Sequence, residues 1–187
     1  MTPVPEALGR ILTARGFRRS RSNFRRSEGA IAFVVNFQRA SSRDGFFVNL
    51  GGQPLSIPCE SGEAPVARSL LEVDCVFRQR VGDKWPDDLG ARAIESACDR
   101  IASELDAFCA GLLVAESRLT VASPESLING LPFLVTPARA ALHLARWSAS
   151  CGSRNAARAL VAFARERASS RARSLVSELD ALESGLR

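Results

Sequence analysis

The sequence has few of the residue types on which enzymes most often rely. Histidine and lysine occur once each among its 187 residues, as His143 and Lys84. Hydrolytic triads need a base beside a nucleophile, and that base is usually a histidine. His143 lies mid-helix in the pattern, so we assign it a structural or surface role. Catalysis is not expected, although an enzyme site built from Arg78, Arg80 and carboxylates stays open.

Metal-binding and nucleotide-binding patterns are also missing. The five cysteines form no CxxC pair, and a zinc site normally needs three or four Cys, His or carboxylate ligands. Asp83, Asp87 and Asp88 could hold a metal ion, but the solvated start of a helix also explains them. Gly51-Gly52 leads into a loop, whereas a phosphate-binding loop leads into a helix. No metal and no cofactor is therefore predicted.

Long hydrophobic runs are absent as well. No apolar run approaches the roughly 18–20 residues that a membrane-spanning helix needs. The first residues, MTPVPEALGRIL, lack the basic start and apolar block of a secretory signal. The scattered cysteines fit buried thiols in a reducing compartment. We therefore expect a cytoplasmic protein that has no membrane partner.

Charged residues, by contrast, are abundant and unevenly distributed along the chain, whose net charge is +5. Residues 1–43 carry nine arginines and two acids, a net charge of +7. Residues 44–116 carry six basic and thirteen acidic residues, a net charge of −7, and residues 117–187 return to +5. Such asymmetry can steer a charged partner, or it can hold the blocks together.

Alternating apolar and polar residues predict a four-stranded antiparallel sheet. In its clearest strand, the odd-numbered residues from Ile31 to Phe37 face inward and their even-numbered neighbours face outward. Asp44-Gly45 is typical of a hairpin turn. The predicted strands are Asn23–Arg26, Ala30–Arg39, Phe46–Leu50 and Leu71–Arg80.

Apolar residues at spacings of three and four predict a long helix that begins after Pro86, ends near Ser117 and covers the inward face of the sheet. Ser123-Pro124 and Thr136-Pro137 each combine a hydroxyl cap with proline at the first helical position. The other predicted helices are 3–15, 124–129, 137–150 and 154–184, the last with a candidate break at Ser169-Ser170.

These elements predict an α+β fold: a four-stranded antiparallel sheet covered on one face by helices and followed by an all-helical C-terminal tail. The expected domains are an α+β sheet domain over 1–117 and, packed on it, a helical extension over 118–187.

Several segments of the sheet region carry a family resemblance. They are GFRR (Gly16–Arg19), NFRR (Asn23–Arg26), VVNFQRA (Val34–Ala40), FFVNLGG (Phe46–Gly52) and VFRQRVGD (Val76–Asp83), followed by Trp85. In this order they resemble the bacterial domain-of-unknown-function 4304 family over about residues 5–115. The resemblance implies a helix, hairpin strands, a VNLG strand and a later strand that contains arginine. It implies no activity.

The outward side chains of the sheet form the first candidate binding surface. Amide and guanidinium groups on adjacent strands offer several donors to an anion, a carboxylate or a peptide edge, and aromatic residues beside arginine recur in binding patches. A half-solvated sheet face also explains this alternation. The candidate partner-binding residues are Asn36, Gln38, Phe47, Asn49, Arg78, Arg80 and Trp85.

Arginines of the last helices form the second candidate surface. From Arg139 to Arg173 there are eight arginines and one acid, Glu166. Arg154, Arg158 and Arg165 form a stripe that could contact a phosphate backbone, remain solvated or dock within the chain.

Together these patterns predict a bacterial cytoplasmic protein-interaction module without catalysis. An inhibitor or immunity-type protein that occludes a protein partner is the finer expectation. The alternative is a nucleic-acid-binding accessory protein that uses its Arg-rich C-terminal helices.

Overall fold

The computed structural model of the chain describes residues 3–131, 136–169 and 171–186. The chain divides into two compact units, Met1–Ala110 and Gly111–Arg187, and the division falls within one long helix. Each unit is therefore described by itself. The sequence-based division was expected after residue 117, some seven residues later along the same helix.

The first unit contains an antiparallel sheet whose strands follow one another in chain order. The α+β class predicted from the sequence is confirmed, with five strands where four were predicted. The elements are α1 (Pro3–Ala14), β1 (Arg18–Ser20), β2 (Asn23–Glu28), β3 (Ile31–Arg39), β4 (Gly45–Pro54), a 3-10 turn (Glu72–Asp74), β5 (Phe77–Pro86) and α2 (Ala91–Arg118).

Three strand predictions need correction. β1 was not predicted, because its Arg-Arg-Ser sequence has no apolar residue to mark an inward face. β4 continues through Gly51-Gly52 to Pro54, a segment whose composition is typical of a loop. The last strand begins at Phe77 and not at Leu71, and Glu72–Asp74 forms a 3-10 turn.

One face of the sheet lies against α1 and α2. The side chains of Ile31, Phe33 and Val35 are completely buried there, and the strand register puts Val35 on the same face as Gln79 of β5, in agreement with the predicted parity of β3. Gln79 Nε2 of β5 donates to Glu104 Oε2 of α2 at 3.2 Å, so the long helix does cover this face. The opposite face is called the outer face below.

A loop covers half of the outer face. Ala32 and Val34 of β3 pack there with Cys59, Leu70 and Cys75 in a second apolar cluster. The buried amide of Gln53 anchors this loop, because its Nε2 donates to the Ile57 carbonyl at 3.0 Å and its Oε1 accepts from the Val76 N–H at 3.1 Å. Both faces of the sheet therefore contribute to the core at this end of β3.

The second unit is helical. It continues from α2 into α3 (Pro124–Asn129), α4 (Pro137–Ser150), α5 (Arg154–Arg167) and α6 (Arg173–Gly185). The Ser123 and Thr136 side chains accept from the N–H groups of Ser126 and Arg139, as predicted for hydroxyl caps followed by proline. The candidate break is confirmed by the end of α5 at Arg167, while Ser170 lies outside the described residues.

Candidate functional site on the outer face of the sheet

The strand register brings most of the predicted binding residues together on the uncovered half of the outer face. Asn36 of β3 lies opposite Asn49 of β4, and Asn49 lies opposite Arg80 of β5. Gln38 lies opposite Phe47. These five side chains share one face because residues directly opposite in neighbouring strands point to the same side of a sheet.

Hydrogen bonds connect these side chains across the strands. Asn36 Nδ2 donates to Asn23 Oδ1 at 2.9 Å. Asn49 Nδ2 donates to Gln38 Oε1 at 3.1 Å, and Arg80 Nε donates to Asn49 Oδ1 at 3.0 Å. Asn23, Asn36, Gln38, Asn49 and Arg80 are called the amide ladder below. Asn23 was not among the predicted site residues.

The amide ladder holds some side chains rigidly and leaves others open to solvent. Asn23 and Asn49 are buried, with 8% and 5% of their surfaces exposed, whereas Gln38 and Arg80 are exposed. The guanidinium of Arg80 also lies over the ring of Phe47, 4.3 Å from the ring centroid. The ladder thus fixes the Nε side of Arg80, and the remaining guanidinium N–H groups can serve a ligand.

Arg78 extends the positive charge of this surface along β5. It lies opposite Gly51 of β4 and is exposed. Burial raises the pKa of Glu72, on the loop that covers the sheet, and the positive charges of Arg78 and Arg80 oppose that rise. This carboxyl group therefore lies within the electrostatic reach of both arginines.

Trp85 does not join this surface, and its assignment to the same face is wrong. Trp85 lies opposite Phe46, and the Cζ of Arg100 on α2 lies 5.7 Å from the centroid of the Trp85 ring. The Nε1 of Trp85 donates to the Val81 carbonyl at 3.1 Å. Because residues directly opposite in neighbouring strands point to the same side of a sheet, Trp85 lies on the helix side with the buried Phe46, away from Arg78 and Arg80.

Two of the residues considered for chemistry in the sequence are engaged within the fold. His143 is fully buried within α4, and Asp87 is paired with Arg39. Within the described residues, no three His, Cys, Asp or Glu side chains are arranged to hold a metal ion. Burial raises the pKa of four cysteine thiols, to about 12 for Cys109; the others are Cys59, Cys75 and Cys98.

The arginines of the C-terminal helices largely contact acids and carbonyls of the same unit. Arg165 Nη2 donates to Asp180 Oδ1 at 2.5 Å and to Glu183 Oε2 at 2.8 Å. Arg158 Nη2 donates to the Leu186 carbonyl at 2.5 Å, whereas Arg154 is exposed. The stripe of three arginines is therefore mostly engaged within the chain, by partners that lie beyond Arg173 in the sequence.

Comparison with known proteins adds one finding. A family model described as Domain of unknown function (DUF4304) matches residues 8–107, which confirms the resemblance predicted from the sheet segments. This range includes every residue of the amide ladder and ends within α2. No curated protein and no solved structure matches the chain. No helix in the described ranges is long and apolar enough to cross a membrane.

Proposed function

The chain belongs to the family described as Domain of unknown function (DUF4304), and on that premise we propose that it is a non-catalytic interaction module that binds a protein partner through the outer face. The observation that carries the proposal is the amide ladder, in which Arg80 is bonded to Asn49 and lies over Phe47. Arginine and aromatic residues are enriched where protein interfaces gain most of their binding energy.

Preorganisation of the outer face supports this function. Ordering a long side chain at an interface costs about 0.5–1.5 kcal/mol. Arg80 and Gln38 are already positioned by hydrogen bonds to Asn49. The entropic cost of ordering these side chains on binding is therefore smaller.

The chemistry of the surface suits one kind of partner. The free guanidinium N–H groups of Arg80 and the charge of Arg78 suit a carboxylate, while Phe47 offers a half-buried ring beside them. We therefore infer a partner that places an acidic side chain next to an apolar one. By covering that part of the partner, the chain would act as an inhibitor or immunity-type protein, by occlusion, in the bacterial cytoplasm.

Site-specific photo-crosslinking tests the proposal. A benzophenone amino acid at position 38 replaces the exposed Gln38 at the edge of the amide ladder, and a matched probe at Glu95 occupies an exposed position on α2. We expect the probe at position 38 to capture one protein from the cell that the probe at position 95 does not. That protein is then purified and its affinity for the chain is measured.

The affinity of the purified partner decides the outcome. We expect Arg80→Ala and Phe47→Ala each to weaken binding by about tenfold or more, because each removes an anchor of the kind that dominates interfaces. Arg92→Ala removes an exposed arginine of α2 and should leave binding unchanged. Equal affinity of all three variants, or capture of the same protein by both probes, would overturn the proposal.

A further inference from the structure

β5 forms one edge of the sheet, beside the amide ladder. The strand order places β4 on one side of it and no described strand on the other. An edge strand presents backbone N–H and C=O groups that no neighbouring strand uses. Arg78 and Arg80 belong to this strand, and both are exposed. The free side of β5 is called the open edge below.

The alternation of hydrogen bonds along the sheet identifies the backbone groups that face the open edge. The Leu55 N–H donates to the Ala30 carbonyl at 2.8 Å, one step beyond the last paired residues of β3 and β4. Bonded and non-bonded pairs alternate along an antiparallel ladder, so odd-numbered residues of β4 bond to β3 and even-numbered ones to β5. The register pairs even-numbered residues of β4 with odd-numbered residues of β5, such as Gln79. The backbone groups of Arg78 and Arg80 therefore face the open edge.

Other backbone bonds agree with this assignment. Beyond Pro86, the Asp87 N–H donates to the Asp44 carbonyl at 3.3 Å, again from an odd-numbered residue to an even-numbered one. Within the described residues, the backbone groups of Arg78 and Arg80 that face the open edge make no hydrogen bond. Each of these arginines thus offers a backbone donor and a backbone acceptor to an added strand.

The side chains of the same two residues give the open edge a positive charge. Arg78 and Arg80 both point to the outer face, and Arg80 is bonded to an amide there. No acid in the described part of the chain forms an ion pair with either of them. Opposite charges that face each other on neighbouring strands stabilise the pairing. A strand added at this edge is therefore favoured by acidic residues opposite Arg78 and Arg80.

We propose that the open edge accepts an extended acidic segment of the protein partner as a sixth strand of the sheet. Two acidic residues of that segment, separated by one residue, lie opposite Arg78 and Arg80, and the residue between them points to the helix side. Main-chain hydrogen bonds supply affinity in this binding mode, and alternate side chains supply specificity. The inference rests on the proposed function, because it gives the binding mode and the chemistry of the partner at the same face.

A second copy of the chain fits the open edge less well. Two antiparallel copies of β5 would pair through their even-numbered residues, which include Arg78, Arg80 and Lys84 and no acid. Like charges directly opposite each other destabilise a sheet. The charges therefore favour an acidic segment of a different protein.

Selection of random peptides displayed on phage, with the full chain as bait, supplies a probe for the open edge. We expect the selected peptides to share two acidic residues separated by one residue. One such peptide is then synthesised, and its affinity is measured by calorimetry. Single N-methylation along this peptide should weaken binding about tenfold at alternate positions only, because every second N–H of an added strand faces the sheet.

Hydrogen exchange of the chain reports the same pairing from the other side. In the free chain the amide protons of Arg78 and Arg80 should exchange faster than that of Gln79, which is bonded within the sheet. Saturating peptide should slow the exchange of both arginine amides by about tenfold or more, because exchange then requires the peptide to leave or the edge to open.

Two substitutions at position 78 separate the side chain from the backbone. Arg78→Ala removes the guanidinium, and we expect it to weaken peptide binding by about tenfold. Arg78→Pro also removes the N–H that faces the open edge, and proline is tolerated at such positions of edge strands, so binding should fall by about tenfold again. Arg92→Ala is the matched control, because it removes an exposed arginine of α2 and should leave binding unchanged.

Strand addition would be overturned by a selection that yields no binding peptide, or by peptides without the alternate acidic residues. N-methylation that weakens binding without alternation would also overturn it, as would equal affinities of Arg78→Ala and Arg92→Ala. Peptides that depend on Arg80 and Phe47 but show no alternation would bind the outer face by another mode and leave the proposed function intact. The photo-crosslinking experiment tests that function by itself.

Discussion

The guanidinium of Arg80 lies over the ring of Phe47, with its Cζ 4.3 Å from the ring centroid. The two residues come from neighbouring strands, and the bond from Arg80 Nε to Asn49 Oδ1 holds the guanidinium in place. A cation stacked on an aromatic ring is favourable even at an exposed site. The pair is therefore both a local stabiliser of the sheet and the centre of the candidate surface.

A double-mutant cycle on this pair should detect the contact. We expect Arg80→Ala and Phe47→Ala to show a coupling free energy of about 0.5–1 kcal/mol in urea unfolding. Arg78→Ala combined with Phe47→Ala is the control, because Arg78 lies opposite Gly51 instead, and we expect its coupling to be close to zero. Equal coupling in the two cycles would contradict the role given to Arg80.

Gly51 should tolerate no side chain. A Cβ atom built there would lie 2.7 Å from Cys75 Sγ and 3.2 Å from the Glu72 Cα. We expect Gly51→Ala to lower the free energy of unfolding by about 1–3 kcal/mol, the usual cost of overpacking. Gly90→Ala is the control, since its Cβ would meet no atom within 4 Å. A similar loss in both variants would show that the packing of the loop is not the cause.

The contact between Lys84 and Asp44 predicts a pH effect. Hydrogen bonds from Lys84, at 2.6 Å, and from Ser42 lower the pKa of Asp44 from 3.8 to about 2. A carboxyl group whose pKa is lowered in the folded state stabilises the fold above its unfolded pKa. This stabilisation is expected to disappear as the pH falls from about 4 through about 2.

Carboxyl-carbon NMR titration of Lys84→Gln measures this effect. The pKa of Asp44 should rise from about 2 toward 3.8. Lys84→Arg retains the charge and a donor, so it should keep the pKa low. An unchanged pKa in Lys84→Gln would contradict the assignment, because it would leave Ser42 and the backbone as the cause.

Glu178 of α6 should stabilise the C-terminal unit by binding two arginines of α4. Its two carboxylate oxygens accept from Arg139 Nη1 at 2.8 Å and from Arg146 Nη2 at 2.9 Å. We expect Glu178→Gln to lower the free energy of unfolding by about 1 kcal/mol, and high salt to reduce the difference from the original chain. Glu166→Gln is the control.

Glu166 suits that purpose because its side chain is 74% exposed and lies 3.5 Å from Arg167. Its replacement should change stability by less than about 0.5 kcal/mol. Equal effects of the two substitutions would show that the bridge between α4 and α6 adds nothing to the stability of this unit.

Elements with strong local signals could be predicted from the sequence. The bounds of α3 and α4 match the prediction, because a hydroxyl cap followed by proline fixes the start of a helix within a few residues. The inward parity of β3 also follows from local alternation. The match of the family model is likewise carried by segments that are contiguous in the chain.

The start of the last strand could not be located in the same way. A loop that packs on the sheet can show the same alternation of apolar and polar residues as a strand. The alternation that begins at Leu71 comes from a loop, in which Cys75 and Val76 are buried against the sheet while Val73 is 57% exposed. The predicted strand ended at Arg80, so its alternation did not extend to Trp85. The structure extends the strand to Pro86 and turns the indole toward α2.

The amide ladder shows a similar limit. The parity of β3 and β4 brought four of the candidate side chains to one face, but Asn23 joins them only through the pairing of β2 with β3. A pairing register is a property of two segments, and the composition of one segment does not give it. The acids that bind the C-terminal arginines were missed for the same reason, since they come from a different helix.

The segment between β4 and β5 covers one part of the outer face and leaves the rest open to solvent. Its cysteines and leucine shield Ala32 and Val34, while Asn36 and Gln38 on the same strand stay open. Insertions or deletions in this segment would therefore change the exposed area of the outer face without altering how the strands pair. Related chains could meet partners of different sizes on one unchanged framework.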